Sequence, residues 1–433
     1  MHQVIHRSTI DLDNIRKQLF ILSKSYSIFS ILDSNNWQHD QYNSYDVMAA
    51  FGAAKEIGVN SQNNSFENLR KEHQKKPNWM FGYFSYDLKN ELENLQSNNH
   101  DAIEASKMHF FVPKLLILIK DQNMDILIHD DYIDDLSIRK NIDLLFTEHR
   151  NIKNNKQKKV HIQHRINQVE YLNSIKKIQQ HIKQGDIYEL NFCQEFYAQD
   201  VEIDTIDIYG KLAAKSPTPF SAFMRFNNIH LMSSSPERYL KKISRKIISQ
   251  PIKGTSRRQS DKRKDLEAID LLKNNSKERA ENIMIVDLVR NDLARTAKKG
   301  SVKVEELCEI YSFKQVHQMT STISSELDDK YDFVDLLRTT FPMGSMTGAP
   351  KIRAMELIEK YEQTKRGIYS GAIGYITPDG DFDFNVVIRS LIYNSQTKYL
   401  SFIAGGAITY QSNPQLEYEE SLLKVEAIIN ILS

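Results

Sequence analysis

The segment KIISQPIKGT, residues 246–255, indicates a β-strand that ends in a glycine turn, with Lys253 directly before the glycine. The preceding segment HLMSSSPERYLKKI, residues 230–243, also indicates strands with turn signals between them, and it carries Glu237. Catalytic groups tend to lie in loops at strand ends, so both residues are candidates for chemistry. A lysine beside a glycine is, by itself, most simply a solvated turn residue. The interpretation therefore depends on the rest of the chain.

Helices flank these strands. In residues 167–196, apolar side chains recur at helical spacing, Gly185 ends the helix, and a strand follows from Ile187 to Phe196. Before residue 130, short apolar runs such as residues 114–120 alternate with turn-forming residues, which favours antiparallel strands. The pattern predicts an α+β protein.

Two predicted helices each carry a Glu-x-x-Glu pair. Glu278 and Glu281 lie in the first, within residues 274–296, and Glu417 and Glu420 lie in the second, within residues 413–432. Residues three apart share a face of a helix, so the two pairs could face each other across a site. Magnesium prefers oxygen ligands, and two such helices would supply carboxylates for it. Taken singly, each pair is more simply a solvated helix edge.

Composition limits the classes of function. The chain has 433 residues, 40% of them hydrophobic, and a formal net charge of +1, so it indicates a soluble globular protein with no global basic field for nucleic acid. Two cysteines, Cys193 and Cys308, are too few for a disulfide framework, and no apolar segment is long enough to cross a membrane. These features predict a cytoplasmic protein with no nucleic-acid or membrane partner.

An Asn- and Lys-rich stretch, residues 150–159, has little to bury and reads as a linker or surface loop. It suggests a strand-rich N-terminal region, residues 1–160, and a C-terminal catalytic region, residues 161–433.

Seven motifs occur in an order and spacing similar to those of the chorismate-utilising enzymes. They are PIKGTSRR, ENIMIVDLVRNDLAR, KQVHQMTSTI, GSMTGAPKIRAMELI, YSGAIGYI, AGGAI and EYEESLLKV, and they lie between residues 165 and 430. FGYFSYDLKNELE, residues 81–93, extends the resemblance more weakly toward the N-terminus. The resemblance implies two facing antiparallel sheets forming a sandwich with helices outside, and a catalytic cleft in the C-terminal region.

A lysine in the PIKGT motif is similar to that of the aminodeoxychorismate synthases, whereas the related anthranilate synthases usually carry alanine there. The resemblance implies that Lys253 attacks C2 of chorismate and that Glu237 protonates the leaving C4 hydroxyl. Ammonia then attacks C4 and expels the lysine. This division suits the chemistry, because hydroxide is a poor leaving group and a lysine must be neutral to attack.

The resemblance also implies a magnesium cofactor and a substrate pocket. The metal ligands would be Glu281 and Glu420, supported by Glu278 and Glu417. In relatives that add water at C2, a lysine base occupies the position taken here by Gln194, and an amide cannot act as that base. The residues expected to bind substrate are Gln194, Thr255, His317, Thr347, Tyr369, Arg389, Gly405, Gly406 and Lys424.

The expected activity is therefore transfer of ammonia to C4 of chorismate, giving 4-amino-4-deoxychorismate for p-aminobenzoate and folate synthesis. The ammonia would come from a separate glutaminase subunit. Two alternatives stay open: an anthranilate synthase component I, which aminates C2 and eliminates pyruvate, and an inactive chorismate-binding module. Lys253 argues against the first, and the carboxylates at 237, 281 and 420 argue against the second.

Overall fold

A computed structural model describes residues 1–37, 39–58, 64–147 and 159–433. The predicted linker at 150–159 lies outside the described residues except for Lys159, which is exposed. The division of the chain at residue 160 stays a prediction.

Within the described residues the chain forms twenty strands, and the pairings between them are antiparallel. The strands are β1 His2–Thr9, β2 Ile28–Asp33, β3 Val47–Ile57, β4 Met80–Phe84, β5 Met108–Lys120, β6 Asn123–His129, β7 Gln163–His164, β8 Glu189–Ala198, β9 Phe220–Phe226, β10 Ile229–Ser235, β11 Arg238–Ile243, β12 Lys246–Gln250, β13 Ile252–Arg257, β14 Lys303–Ser312, β15 Val316–Glu326, β16 Gly348–Ala349, β17 Ala372–Ile376, β18 Phe382–Val386, β19 Ser390–Asn394 and β20 Tyr399–Ile408.

Ten α-helices accompany the strands in the same part of the chain. They are α1 Leu12–Ser23, α2 Ser65–Lys75, α3 Leu136–Leu145, α4 Gln168–Lys183, α5 Thr205–Lys215, α6 Lys262–Asn274, α7 Ser276–Ala294, α8 Phe333–Thr340, α9 Lys351–Tyr361 and α10 Pro414–Leu432, with short 3-10 helices at Tyr86–Glu91, Asp130–Tyr132 and Gly344–Met346. Among the described helices, none combines the length and apolar content that a bilayer span needs.

The strands form two runs that diverge from the long strand β5. Sheet one has the order β1-β6-β5-β3-β2-β9-β10-β19-β20-β8, with β7 and β16 paired to β8. Sheet two continues from β5 as β4-β17-β18-β11-β12-β15, with β13 and β14 also paired to β15. The divergence is possible because β4 pairs with residues 108–111 of β5, whereas β6 pairs with residues 115–120.

Two large apolar cores follow from the alternation of side chains along the strands. On β3, Met48 and Ala50 face a core that also contains Leu240 and Phe384 of sheet two, so this core joins the two sheets. Alternate residues of β3 face a second core, where helices α1, α3, α5 and α10 cover the outside of sheet one. The predicted α+β fold, with facing antiparallel sheets and helices packed outside, is confirmed.

The two glutamate-bearing helices begin at asparagine caps. Asn275 accepts hydrogen bonds from the backbone N–H groups of Lys277 and Glu278 at the start of α7. Asn413 does the same for residues 415 and 416 at the start of α10. Because a side-chain oxygen satisfies otherwise free N–H groups, each cap determines where its helix starts. The segment predicted as a helix from residue 274 therefore divides into the end of α6 and, from Ser276, α7.

Candidate active site

A cavity of about 140 Å³ lies where the far ends of the two sheets meet, under the first turns of α7 and α10. Sheet one contributes β8 and β20, and sheet two contributes β13 and β15. Twelve of the residues selected from the sequence line this cavity: Glu237, Lys253, Thr255, Glu278, Glu281, Tyr369, Arg389, Gly405, Gly406, Glu417, Glu420 and Lys424.

Glu237 lies in the short turn between β10 and β11, and only 4% of its surface is exposed. The Ser345 hydroxyl donates a hydrogen bond of 2.5 Å to its Oε1 atom. Burial raises the pKa of Glu237 to about 7, although the Ser345 hydrogen bond and the charge of Lys253 oppose the shift. A large fraction of this carboxyl is therefore protonated at neutral pH, as a general acid requires.

Lys253 lies on β13, at an irregularity in the pairing of β13 with β15 between residues 252 and 255. Such bulges redirect side chains, and Gly254, at φ +90°, supplies the backbone conformation. A Cβ atom at Gly254 would lie 3.0 Å from Glu278 Oε2, so the glycine also allows α7 to approach closely.

The Lys253 ammonium donates a hydrogen bond of 2.8 Å to Glu189 Oε1, at the start of β8. Both side chains are buried, with 10% and 1% of their surfaces exposed. Burial lowers the pKa of Lys253, but the negative charges of Glu189, Glu281 and Glu237 outweigh that effect and raise the pKa above its usual value. In this arrangement Lys253 is an ammonium, and it must lose a proton before it can attack a carbon atom.

The four glutamates of α7 and α10 form an acidic cluster in the lining of the cavity. Lys424 donates to the backbone oxygen of Gly405 and pairs with Glu420 at 2.8 Å, and that positive charge lowers the pKa of Glu420. Burial instead raises the pKa of Glu281 to about 8. The Oε1 atom of Glu281 is buried and has no hydrogen-bond partner.

Lys277, on the first turn of α7, places a positive charge in this cluster. Its ammonium lies 3.1 Å from Glu417 Oε1 and 3.7 Å from Glu281 Oε1. No group of three His, Cys, Asp or Glu residues in the described ranges is already arranged to hold a metal ion. The residues nevertheless suit a hard divalent cation, since they offer carboxylate oxygens, one of them without a partner. Gly406 also leaves space there, because a Cβ at that position would lie 3.3 Å from Glu417 Oε2.

Arg389 contributes a cationic group to the cavity lining, within electrostatic reach of Glu237. It has a left-handed backbone conformation with φ +50°, and burial lowers its pKa to about 10. Among the described residues its guanidinium makes no hydrogen bond or ion pair, so its donors are available to a carboxylate of a ligand. The Tyr369 hydroxyl, 3.7 Å from Cys193 Sγ, lines the same cavity.

Three residues selected from the sequence do not line the cavity. Gln194 faces away from it and donates through Nε2 to the Ser421 hydroxyl at 2.8 Å. His317 is fully buried between Ser312 and Asp265, at 2.7 Å and 3.0 Å. The Thr347 hydroxyl donates to backbone oxygens of residues 343 and 344, which stabilises the turn that carries Ser345.

Several residues that the structure brings to the site are not among those expected from the sequence. Asn191, Gln318, Ser345 and Lys277 line the cavity, and Glu189 contacts Lys253. Strand alternation along β8 could have revealed part of this set, because Glu189, Asn191 and Cys193 share one face while Gln194 lies on the other. No local signal pairs Glu189 with Lys253, which is 64 residues away in the sequence.

The sequence of this chain is similar to those of a known enzyme family. The model of a family described as "chorismate binding enzyme" matches residues 28–430. Aminodeoxychorismate synthase component 1 of Salmonella typhimurium is 40% identical over 270 residues, covering 62% of this chain and 59% of that protein. Anthranilate synthase component 1 of Lactococcus lactis is 31% identical over 360 residues, covering 81% of this chain and 78% of that protein.

The fold is similar to that of an anthranilate synthase of known structure. The crystal structure of anthranilate synthase component I from Streptococcus pneumoniae superposes with a TM-score of 0.78 and 25% sequence identity, covering 93% of this chain and 92% of that one. The stretch matched to the Salmonella protein amounts to 59% of that protein's length.

Proposed function

This chain belongs to the chorismate-binding enzyme family, and we propose that it aminates chorismate at C4 to give 4-amino-4-deoxychorismate. The observation that carries the proposal is Lys253, a buried amine in the same cavity as Glu237, a carboxyl group that is partly protonated at neutral pH. Sequence similarity points the same way, since the aminodeoxychorismate synthase of Salmonella is more similar, at 40% identity, than the anthranilate synthase of Lactococcus, at 31%.

Lys253 and Glu237 have different roles in the proposed reaction. Lys253, once deprotonated, forms a bond from Nζ to C2 of chorismate while both conjugated double bonds of the ring shift by one position and the C4–O bond breaks. Glu237 gives its proton to the departing hydroxyl, which leaves as water. Ammonia then bonds to C4, both double bonds shift back, and Lys253 leaves C2 as a neutral amine. The product carries the nitrogen as an ammonium group, and Glu237 regains a proton from solvent.

Arg389, Tyr369 and the backbone of Gly405 and Gly406 would bind a carboxylate of the substrate. A guanidinium forms paired hydrogen bonds with a carboxylate, and Arg389 has no competing partner among the described residues. Thr255 and Lys424 complete the predicted contacts.

Glu281 and Glu420, with Glu278 and Glu417 beside them, are the residues that would hold Mg²⁺. The ion would neutralise the ring carboxylate of chorismate and withdraw electron density from it. The chain's own contribution is a cluster of carboxylate oxygens in the cavity lining, among which the buried Oε1 atom of Glu281 has no hydrogen-bond partner.

A separate glutaminase would supply the ammonia for folate synthesis. The proposal is supported by the designation "component 1" of several relatives. It is also supported by Cys193 and Cys308, which are both buried and whose thiols contact asparagine or tyrosine side chains and, among the described residues, no histidine. Burial raises the pKa of the Cys193 thiol to about 11, which leaves almost no thiolate at neutral pH. A cytoplasmic location also belongs to this proposal, consistent with two free thiols.

Anthranilate synthase activity is the second candidate, because the Lactococcus relative covers 81% of the chain. That reaction adds ammonia at C2 and needs no amine nucleophile from the protein, so it leaves Lys253 without a role.

Product identification tests the proposal. Purified protein is incubated with chorismate, Mg²⁺ and an ammonium salt, and products are separated by liquid chromatography with mass detection. We expect 4-amino-4-deoxychorismate. Anthranilate as the main product would favour the second candidate, and unchanged chorismate in the presence of an active glutaminase would favour an inactive module.

A further inference from the structure

Lys277 occupies a helix position that is unfavourable for a positive charge. It is the second residue of α7, where the partial positive charge of the helix N-terminus disfavours a cation. Two carboxylates compensate for this position, Glu417 at 3.1 Å and Glu281 at 3.7 Å. The side chain is 34% exposed, so it reaches the cluster from the solvent side.

The two contacts differ in kind. Lys277 donates a hydrogen bond to Glu417 Oε1, whereas Glu281 Oε1 stays without a hydrogen-bond partner although it is buried. The ammonium therefore bridges α7 and α10 without satisfying the Glu281 carboxylate. A small cation of higher charge, placed between the helices, would satisfy both.

We infer that Lys277 is the counter-ion of the acidic cluster when no metal is bound, and that a divalent cation must displace its ammonium from between Glu281 and Glu417. This inference rests on the metal site of the proposed function. When the metal is absent, the lysine offsets the negative charge of the ionised glutamates in the cluster. The same charge competes with Mg²⁺, because the ammonium lies against Glu281, a proposed metal ligand, and against Glu417 beside it.

The inference predicts that removal of the charge strengthens metal binding. Lys277→Met keeps the aliphatic chain and the helix propensity but has no ammonium. We expect its Mg²⁺ dissociation constant, measured by titration calorimetry without chorismate, to be about tenfold lower than that of the parent, a modest share of the Coulomb energy of a partly exposed charge pair at this distance.

Two matched variants test whether the change in Mg²⁺ affinity comes from loss of the charge at residue 277. One controls for the change of side chain at that position, and the other controls for loss of a positive charge elsewhere. Lys277→Arg retains a cation, and we expect parental affinity. Lys273→Met removes a lysine at the end of α6 that pairs with Glu309 at 3.6 Å and lies outside the cavity lining, and we expect parental affinity there as well.

Thermal unfolding provides a second readout that does not depend on activity. With chelator present, Lys277→Met should unfold at a lower temperature than the parent, because the glutamates have lost their counter-ion. Added Mg²⁺ should raise its unfolding temperature by more than it raises that of the parent.

Equal Mg²⁺ affinity in the parent and Lys277→Met would overturn the inference while leaving the proposed metal site intact. Tighter binding in Lys277→Arg or Lys273→Met to the same degree would also overturn it, since the specific ammonium would not be responsible. If neither the parent nor Lys277→Met binds Mg²⁺, the proposed metal site fails together with the inference. Mg²⁺ binding by Lys277→Met but not by the parent would support the inference.

Discussion

Lys253 and Glu189 form a buried ion pair between the two sheets, with 2.8 Å between Nζ and Oε1. The second oxygen of Glu189, Oε2, is buried without a hydrogen-bond partner. The pair therefore holds the amine in a defined place but also keeps it protonated. Any covalent role of Lys253 requires that this proton leave, and Glu189 is the carboxylate in direct contact with it.

Glu189→Gln should shift the pH dependence of the reaction. The Glu189 charge helps to raise the pKa of Lys253, so removing it lowers that pKa and increases the fraction of free amine at a given pH. We expect the rise of adduct formation with pH to occur at lower pH than in the parent, measured by quenched mass spectrometry without ammonia. Glu356→Gln, exposed on α9, serves as the control. A profile identical to that of the parent would remove Glu189 from this role.

Lys253→Ala tests the covalent mechanism. The parent protein, incubated with chorismate and Mg²⁺ but no ammonia, should gain an adduct at Lys253, because the second displacement lacks its amine. The alanine variant should show no adduct and only background C4 amination. Lys253→Arg should fare no better, since a guanidinium stays protonated. Parental rates of 4-amino-4-deoxychorismate formation in Lys253→Ala would refute the mechanism.

Glu237 should limit the reaction on the alkaline side. Burial raises the pKa of Glu237 to about 7, so the acid form is lost as pH rises through that value. We expect kcat/KM for chorismate to fall above about pH 7, and Glu237→Gln to lower kcat by about 10²- to 10⁴-fold, the usual contribution of a general acid. Ser345→Ala is informative too, because its hydroxyl stabilises the charged form of Glu237 and its loss should move the fall to higher pH.

The proposed metal ligands can be tested without turnover. Glu281→Gln and Glu420→Gln each replace an anionic oxygen with a neutral one, so Mg²⁺-dependent binding of chorismate should weaken strongly while the fold persists. Equilibrium binding with and without Mg²⁺ measures the effect, and circular dichroism checks the fold. Mg²⁺ dependence that is unchanged in both variants would exclude these residues as ligands.

Arg366 holds two backbone segments of the cavity lining in place. It pairs with Glu362 at 2.6 Å and donates to the backbone oxygens of Met346 and Asn191, both of which line the cavity. Arg366→Leu leaves the Glu362 charge buried and uncompensated, so we expect a loss of about 3–5 kcal/mol in the free energy of unfolding. Arg290→Ala, at an exposed pair with Asp287, should cost at most about 1 kcal/mol. Equal urea midpoints for the two variants would contradict this account.

Much of the site is visible in the sequence because its signals are local. Glu278 and Glu281 lie three residues apart, as do Glu417 and Glu420, and helix periodicity alone puts each pair on one face. Lys253 stands in a short motif beside a glycine, and Glu237 stands in a turn between strands. The resemblance to chorismate-utilising enzymes rests on the same short segments, and the α+β class follows from strand and helix periodicities.

The contacts that determine the chemistry are not local, and only the tertiary structure supplies them. Gln194 was selected on β8, but the strand's alternation turns it toward Ser421, and Glu189 on the other face reaches Lys253. His317 and Thr347 were also expected in the pocket, but they stabilise neighbouring elements outside the cavity lining. The strand or turn that carries a residue can be predicted from the sequence, whereas the groups that pack opposite its side chain cannot. The protonation of Lys253 depends on such a partner, contributed by the other sheet, because the pKa of a buried amine is set by the charges that the fold places around it.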